Sequence, residues 1–388
     1  MINAVKDRSK KFQIVWDLGR RCTYECSYCP PNRRNKWSPL VTLDELKKNM
    51  SNLDDYINLM DSVRYDTLLK GLSFTGGEPT IHPDFFKFMK YLKEEYPTYK
   101  RAITTNGVFG LKTLELCKNY MDTGTISYHP EGTNKEKKMV IHNIMILGKE
   151  NNFKVNVMFH KDYFDECVEL CAKLKKEKIP YVPRVIGDEA NDDHGVKKGY
   201  AHVYTIEQMQ WFKNFWKKPP APKLIDGVTQ KDLGRPCCGN RVFKYKEDNE
   251  WYNSKFLSNT DFIGWGCMVN WYFIYINQEL DLAWTHQTCG VNLDGDVAPL
   301  GKWSEFDKVV DTLETHIIEN RKIPMIRCPK HYCGCGMCID KAKDDITAIE
   351  LFNEHIHSIS PIIQPFKEYS INDNDKLTKW AFNNLDKR

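Results

Sequence analysis

Residues 12–29 read FQIVWDLGRRCTYECSYC. A β-like run over 12–18 enters a turn and then three cysteines, Cys22, Cys26 and Cys29, spaced C-x3-C-x2-C. Thiolates at such close spacing hold iron–sulfur clusters. Three ligands on a four-iron cluster leave one iron open for a cofactor or substrate to chelate. The competing reading is a structural zinc site, which needs a fourth protein ligand. The local segment supplies none, although folding could bring in His82 or His129.

Outward from this stretch, short β-like runs alternate with helical patterns up to residue 186. Strands are expected at 12–18, 71–75, 101–105, 125–128, 153–159 and 181–186. Helices are expected at 85–95, 111–121, 135–149 and 164–176, with another starting at Thr42, whose spacing to Glu45 makes a capping box. Six βα repeats imply an α/β fold, a parallel sheet with helices packed on it. Periodicity leaves open whether the sheet curls into a partial barrel or stays open and doubly wound.

The expected divisions are an α/β domain over 1–190, a connector over 191–230, a Cys-rich domain over 231–345 and a helical tail over 346–388. The connector is broken by Pro219, Pro220 and Pro222. It carries one aromatic helix after Thr205, with Trp211, Phe212, Phe215 and Trp216. The tail helix is built around Ile346, Ile349, Phe352 and Ile356.

At the end of the second expected strand stands Gly76-Gly77-Glu78-Pro79. Two glycines permit close backbone approach, and Glu78 offers an anionic acceptor to an ammonium group. Alone, this tetrapeptide is an ordinary turn. Together with C-x3-C-x2-C and aromatic Tyr28 before the third cysteine, it resembles the radical S-adenosylmethionine (SAM) superfamily. The resemblance implies a partial (β/α)6 TIM-like barrel with a SAM-binding [4Fe–4S] cluster on Cys22, Cys26 and Cys29. It further implies that the segment Gly76 to Pro79 binds the methionine amino group of SAM.

In parallel α/β architectures, sites assemble beyond the C-terminal ends of the strands. The third strand ends in Thr104-Thr105-Asn106-Gly107. By the resemblance, Thr105 and Asn106 contact the ribose or methionine part of SAM. Ser127 and Arg184, at later strand ends, are candidates for its ribose and carboxylate, against the plainer readings of a turn hydroxyl and a surface arginine. His129 and His160 are candidate substrate-facing groups.

The chain has fourteen cysteines. Besides the first three, eight fall between 237 and 338: Cys237, Cys238, Cys267, Cys289, Cys328, Cys333, Cys335 and Cys338. Clustering of this kind points to metal where disulfides are rare. Cys267 and Cys289 bracket a hairpin-like stretch with a turn at Asn277-Gln278-Glu279. This resembles the SPASM and twitch extensions that follow many radical SAM barrels. The resemblance implies at least one auxiliary [4Fe–4S] cluster in a small Cys-rich α+β domain, on ligands drawn from Cys267, Cys289, Cys328, Cys333, Cys335 and Cys338. The run CPKHYCGCGMC departs from the usual SPASM spacing, and a zinc ribbon is the alternative. Trp265, Trp271 and Trp284 are expected to make a dry shell around such a cluster. Cys117, Cys167 and Cys171 read as buried core thiols on helices.

Hydrophobic residues make up 41% of the 388, ordinary for a folded globular chain, and the formal charge is +4. Scattered basic residues do not indicate nucleic acid. No apolar stretch is long enough to span a membrane. Lys6, Asp7, Arg8, Lys10 and Lys11 interrupt any signal-peptide core, so a cytoplasmic location is expected. The expected activity is reductive cleavage of SAM and hydrogen abstraction from a peptide or small metabolite, fed by an external one-electron donor. Modification of a nucleotide or nucleic-acid base is one alternative; a non-catalytic, zinc-stabilised binding module is the other.

Overall fold

The computed structural model describes residues 4–6, 11–29, 39–65, 67, 69–186, 204–215, 243–247, 250–254, 262, 264–276, 281–283, 301–302, 306–328, 340–357 and 359–363. Contacts divide the chain into two compact units. Val15–Lys47 and Lys70–Lys217 form one, here the α/β unit; Met1–Ile14, Lys48–Leu69 and Lys218–Arg388 form the other, the C-terminal unit. These units gather segments that the sequence divisions at 190, 230 and 345 keep apart.

A short strand β1 (Ala4–Lys6) precedes β2 (Lys11–Asp17), whose last residues open the α/β unit. Then follow α1 (Leu43–Ser62), β3 (Leu69–Thr75), α2 (Phe85–Glu95), β4 (Lys100–Thr105), α3 (Leu111–Tyr120) and β5 (Thr123–Tyr128). The run continues with α4 (Asn134–Glu150), β6 (Phe153–Phe159), α5 (Phe164–Lys176), β7 (Tyr181–Val185) and α6 (Ile206–Phe215). The strand order is β2-β3-β4-β5-β6-β7, and each adjacent pair from β3 to β7 is parallel. Order in space thus follows order in sequence, without the reversal that marks a doubly wound sheet. The α/β fold winds one way, as a barrel does, and resolves what periodicity left open.

Local chemistry explains the elements. Thr42 and Glu45 close a capping box at the start of α1, with the Glu45 carboxylate accepting from the Thr42 N–H (2.8 Å) and hydroxyl (2.7 Å). Thr133 and Glu136 do the same for α4. Along α2 the residues Phe85, Phe88, Met89 and Leu92 are buried, an i, i+3, i+4, i+7 stripe. It packs where Phe74 of β3 meets Phe85 and Phe88 and where Trp16 meets Phe88, with centroids 5.5–6.1 Å apart. Each such buried side chain contributes roughly 1.5–3 kcal/mol. Cys117, Cys167 and Cys171 are buried on α3 and α5 as core thiols.

The strands present two unlike faces. Alternate residues such as Phe153, Val155, Val157 and Phe159 of β6 are buried. The opposite face, by register, aligns Thr104 with Thr125, and Ser127 with Asn156. Those residues are half-buried apart from buried Thr125. Polar side chains on an inner sheet face suit a lined site better than a dry core.

The C-terminal unit contains β8 (Phe243–Glu247), β9 (Glu250–Ser254), β10 (Gly266–Cys267), β11 (Phe273–Ile276), β12 (Asp281–Ala283) and β13 (Gly301–Lys302). After these come α7 (Phe306–Glu314), β14 (Lys322–Arg327), β15 (Lys341–Ala342), α8 (Asp345–His355) and β16 (Ser360–Ile363). One seven-stranded sheet runs β16-β14-β10-β15-β1-β8-β9. The hairpin expected from sequence is present as antiparallel β11 and β12, with Tyr275 opposite Ala283 and Ile276 opposite Leu282. Its turn residues lie outside the described ones. The core includes Trp271 packed edge-on against Phe352, 5.6 Å between centroids.

Three features differ from the sequence expectation. The tail is not helical throughout: α8 ends at His355, and β16 then pairs in parallel with β14. Strand β16 stands at the sheet edge, where Pro361 is tolerated because an edge position can lack an N–H. The sequence pattern predicts one helix over 303–320, and the structure has α7 followed by a π-helical turn, Thr315–Glu319. Finally β1, too short to show periodicity, pairs with both β15 and β8.

Candidate active site at the strand ends

The cysteine loop leaves β2 and is seated on the Gly76 to Pro79 turn at the end of β3. Leu18 N–H donates to Thr75 O (3.0 Å), Gly77 N–H to Gly19 O (2.7 Å) and Glu78 N–H to Arg21 O (2.7 Å). The glycines serve this contact. A Cβ on Gly76, whose φ is +130°, would stand 2.4 Å from Gly19 O, and one on Gly77 would stand 2.2 Å from Arg21 O. Both obstacles are backbone, so neither can swing aside. Gly77→Ala should therefore cost about 1–3 kcal/mol of stability, as overpacking does. Thermal melting of the metal-free protein reads this; a wild-type Tm would show that the close seat is not needed.

Glu78 is 3% exposed and ties the turn to the end of β4. Its Oε1 accepts from Thr80 N–H (3.1 Å), Thr80 hydroxyl (2.6 Å) and Thr105 hydroxyl (2.7 Å), and its Oε2 accepts from Asn106 N–H (2.7 Å). Burial pushes its carboxyl pKa up, against these donors, which favour the carboxylate. Pro79 is buried and opens a short 3-10 turn, Pro79–Ile81.

Asn106 reaches back from β4 to the cysteine loop. Its Oδ1 accepts from Val108 N–H (2.9 Å), while its Nδ2 donates to Thr23 hydroxyl (2.8 Å) and lies 3.7 Å from Cys22 Sγ. Cys22 Sγ also accepts from Tyr24 N–H at 3.4 Å. On the other side, Cys29 N–H donates to Cys26 O (3.1 Å), and Ser27 N–H donates to Glu131 Oε2 (2.9 Å).

His129 and His160 both meet this loop. His129 Nδ1 lies 3.5 Å from Cys26 Sγ and hydrogen-bonds the Tyr28 hydroxyl, and its ring stacks on that of Tyr28. Burial pushes the His129 pKa down to about 4, so the ring is neutral at physiological pH. His160 is buried, 3.5 Å from Ser27 Oγ and 3.6 Å from Glu131 Oε1 through Nε2. Asp162 N–H donates to its Nδ1 (3.2 Å), which leaves the neutral ring's proton on Nε2. Farther along the inner face, Arg184 Nε donates to Asn156 Oδ1 (3.1 Å), and Asn156 is the register neighbour of Ser127.

The donor set suits an iron–sulfur cluster in kind: three thiols in one short loop, none in a disulfide, two with nitrogen neighbours at sulfur. Burial pushes the Cys26 thiol up to about 12 and raises that of Cys22. Thiolates here therefore call for a cation that offsets the lost hydration. Among the described residues no three His, Cys, Asp or Glu side chains are gathered as a metal ion would need. Such sites commonly converge only on metal binding.

Residues 16–196 match the family described as the radical SAM superfamily. Those residues are a radical SAM domain. Among curated relatives, the GTP 3',8-cyclase of Campylobacter curvus is 26% identical over 222 residues, 53% of this chain and 66% of the relative. The 4-hydroxyphenylacetate decarboxylase activating enzyme of Clostridium scatologenes is 28% identical over 166 residues, 39% of this chain and 50% of the relative. The chain thus spans less than two thirds of either relative. The crystal structure of Streptococcus suis SuiB bound to S-adenosylmethionine aligns at TM-score 0.42 and 13% identity, over 70% of this chain and 59% of that one. That likeness is too loose to bear on function.

The strand-end candidates Cys22, Cys26, Cys29, Tyr28, Gly76 to Pro79, Thr105, Asn106, Ser127, His129, His160 and Arg184 all lie in the α/β unit. Sequence reasoning assigned no role to Thr23, Thr80 or Glu131, which join the loop and the turn by side-chain hydrogen bonds. Glu131 had one available signal, its place two residues after His129 beyond a strand end. In the C-terminal unit, Cys267 and Cys328 are buried. Cys267 faces Ile326 across β10 and β14, and Cys328 N–H donates to Trp265 O (2.8 Å). This register puts the two cysteines diagonally on one sheet face. Trp265 and Trp271 are buried in the same unit. Cys237, Cys238, Cys289, Cys333, Cys335, Cys338 and Trp284 lie outside the described residues.

Proposed function

We propose that this chain is an enzyme that cleaves SAM reductively and abstracts hydrogen from a peptide or small metabolite. The observation that carries the reading is the direct bonding of three motifs into one assembly. The loop bearing Cys22, Cys26 and Cys29 sits on Gly76-Gly77, and Glu78 joins both to Thr105 and Asn106. When bound, the [4Fe–4S] cluster and SAM supply one-electron cleavage of the sulfonium and a 5′-deoxyadenosyl radical.

The chain's own residues then bind and orient. Cys22, Cys26 and Cys29 would hold the cluster through their three thiolates, leaving a site for SAM. Glu78 Oε2 has lone-pair capacity beyond the Asn106 N–H bond for the ammonium of SAM. Ser127 and Arg184, on the polar inner face, take its ribose and carboxylate, and Tyr28 flanks the site. His129 and His160 stand beside the cysteine loop as polar walls toward substrate. Residues 1–190 make the catalytic domain, 191–230 the connector, 231–345 the auxiliary domain and 346–388 the tail. At least one auxiliary [4Fe–4S] cluster would draw its ligands from Cys267, Cys289, Cys328, Cys333, Cys335 and Cys338. An external donor supplies the electron, and a low-potential cluster fits the reducing cytoplasm. No helix among the described residues is long and apolar enough to cross a membrane.

Glu78→Gln tests the SAM assignment. The amide puts an N–H against groups that donate to Glu78, and it removes the charge facing the ammonium. Charge-assisted hydrogen bonds contribute roughly 1.5–3 kcal/mol, so SAM affinity should fall about tenfold or more by equilibrium dialysis. Unchanged affinity with full iron content would leave Glu78 as a turn residue only.

A nucleotide substrate is the second reading, favoured by relatives named GTP 3',8-cyclase. Anaerobic assays of 5′-deoxyadenosine separate the two. Stimulation by GTP with a nucleotide product supports the second, while stimulation only by peptides or other metabolites supports the first.

A further inference from the structure

We propose that Asn106 is a positioning residue that raises the reduction potential of the cluster by donating an N–H···S hydrogen bond to Cys22. This rests on the cluster reading above and goes beyond it, because it assigns Asn106 to the sulfur rather than to SAM.

The geometry fixes both the place and the orientation of the amide. The Asn106 backbone N–H is bound to buried Glu78 Oε2 (2.7 Å), which anchors the residue. Val108 N–H donates to Oδ1 at 2.9 Å. A flipped amide would set NH2 against that N–H and point an oxygen at the sulfur, so the bond to Val108 selects the orientation with Nδ2 toward the loop. From there Nδ2 donates to Thr23 hydroxyl (2.8 Å) and reaches Cys22 Sγ (3.7 Å), a length within range for a sulfur acceptor.

Reduction adds one electron, taken from the external donor, and makes the cluster and its thiolates more negative. A donor N–H aimed at a ligand sulfur stabilises that reduced form more than the oxidised one. The other donors to Cys22 Sγ are backbone N–H groups, that of Tyr24 at 3.4 Å and that of Thr23. Asn106 is therefore the donor that substitution can remove while leaving the loop backbone intact.

The test is an anaerobic, EPR-monitored redox titration of the full-length reconstituted protein without SAM. It follows the signal that disappears in the variant with Cys22, Cys26 and Cys29 all changed to Ala. Asn106→Asp keeps the shape and the acceptor for Val108 N–H but carries a carboxylate in place of the donor. Asn106→Ala removes the side chain without adding charge. At a fixed solution potential the reduced-to-oxidised ratio should fall about tenfold in Asn106→Ala, equal to about 59 mV for a one-electron couple. It should fall further in Asn106→Asp. Thr23→Val, which removes only the hydroxyl acceptor, should leave the potential near wild type. Wild-type potentials in both Asn106 variants, with iron and sulfide retained, would overturn the proposal. So would a shift in Thr23→Val as large as in Asn106→Ala, because loop position and not the sulfur bond would then set the potential. If either Asn106 variant fails to assemble the cluster, the other decides by the same criterion; failure of both while Thr23→Val assembles it would overturn the proposed tuning role. A wild-type protein lacking any signal sensitive to the triple substitution would overturn the cluster reading itself.

Discussion

Changing Cys22, Cys26 and Cys29 together to Ala should abolish formation of 5′-deoxyadenosine from SAM under dithionite. Cys117, Cys167 and Cys171 of the same unit are buried on helices, while the three thiols occupy one loop. Without them nothing holds the iron to which SAM would bind. The fold should survive, because the core of the α/β unit is built from Trp16, Phe74, Phe88 and the buried faces of its helices. Iron should fall by about four per chain, the content of one [4Fe–4S] cluster. A triple variant that still cleaved SAM would show that the reactive cluster lies elsewhere.

Changing Cys267 and Cys289 to Ala should have the opposite pattern. The reconstituted wild type is expected to hold about eight irons per chain if one auxiliary cluster is present, and the variant about four. Slow SAM cleavage without substrate should persist, since every strand-end residue named above lies in the other unit. Turnover of the true substrate should disappear. Cys267 and Cys328 are buried on one face of adjacent strands although far apart in sequence, and neither is in a disulfide. Iron near four in the intact protein would remove the auxiliary cluster from the account, and tightly held zinc would favour a ribbon. Full product formation by the double variant would make those thiols dispensable for catalysis.

How far the fold was legible depended on repetition. Strands β3 to β7 alternate with helices whose apolar stripes recur at helical spacing, and such patterns need only local chain information. The expected spans 85–95 and 164–176 coincide with α2 and α5. Strand β1 was not legible because three residues carry no period, and its place depends on pairing with chain more than 200 residues away. Strand β16 was hidden by the apolar helix that precedes it.

At the site, C-x3-C-x2-C and Gly-Gly-Glu-Pro named the main residues, but spacing could not say what the glycines approach. They approach the backbone of the cysteine loop, with Gly19 O and Arg21 O inside the space of a Cβ. Nor could spacing show that Glu78 is shared among Thr80, Thr105 and Asn106, or that Glu131 holds Ser27. Those bonds join residues up to 104 positions apart and exist only once the strand ends are side by side.

The most direct measurement is a single anaerobic assay of the reconstituted wild-type protein with SAM and dithionite, with iron and sulfide determined on the same sample. The account predicts stoichiometric iron and sulfide, with 5′-deoxyadenosine and methionine formed in equal amounts. A protein carrying its full iron and sulfide and binding SAM, yet producing neither compound, would contradict it.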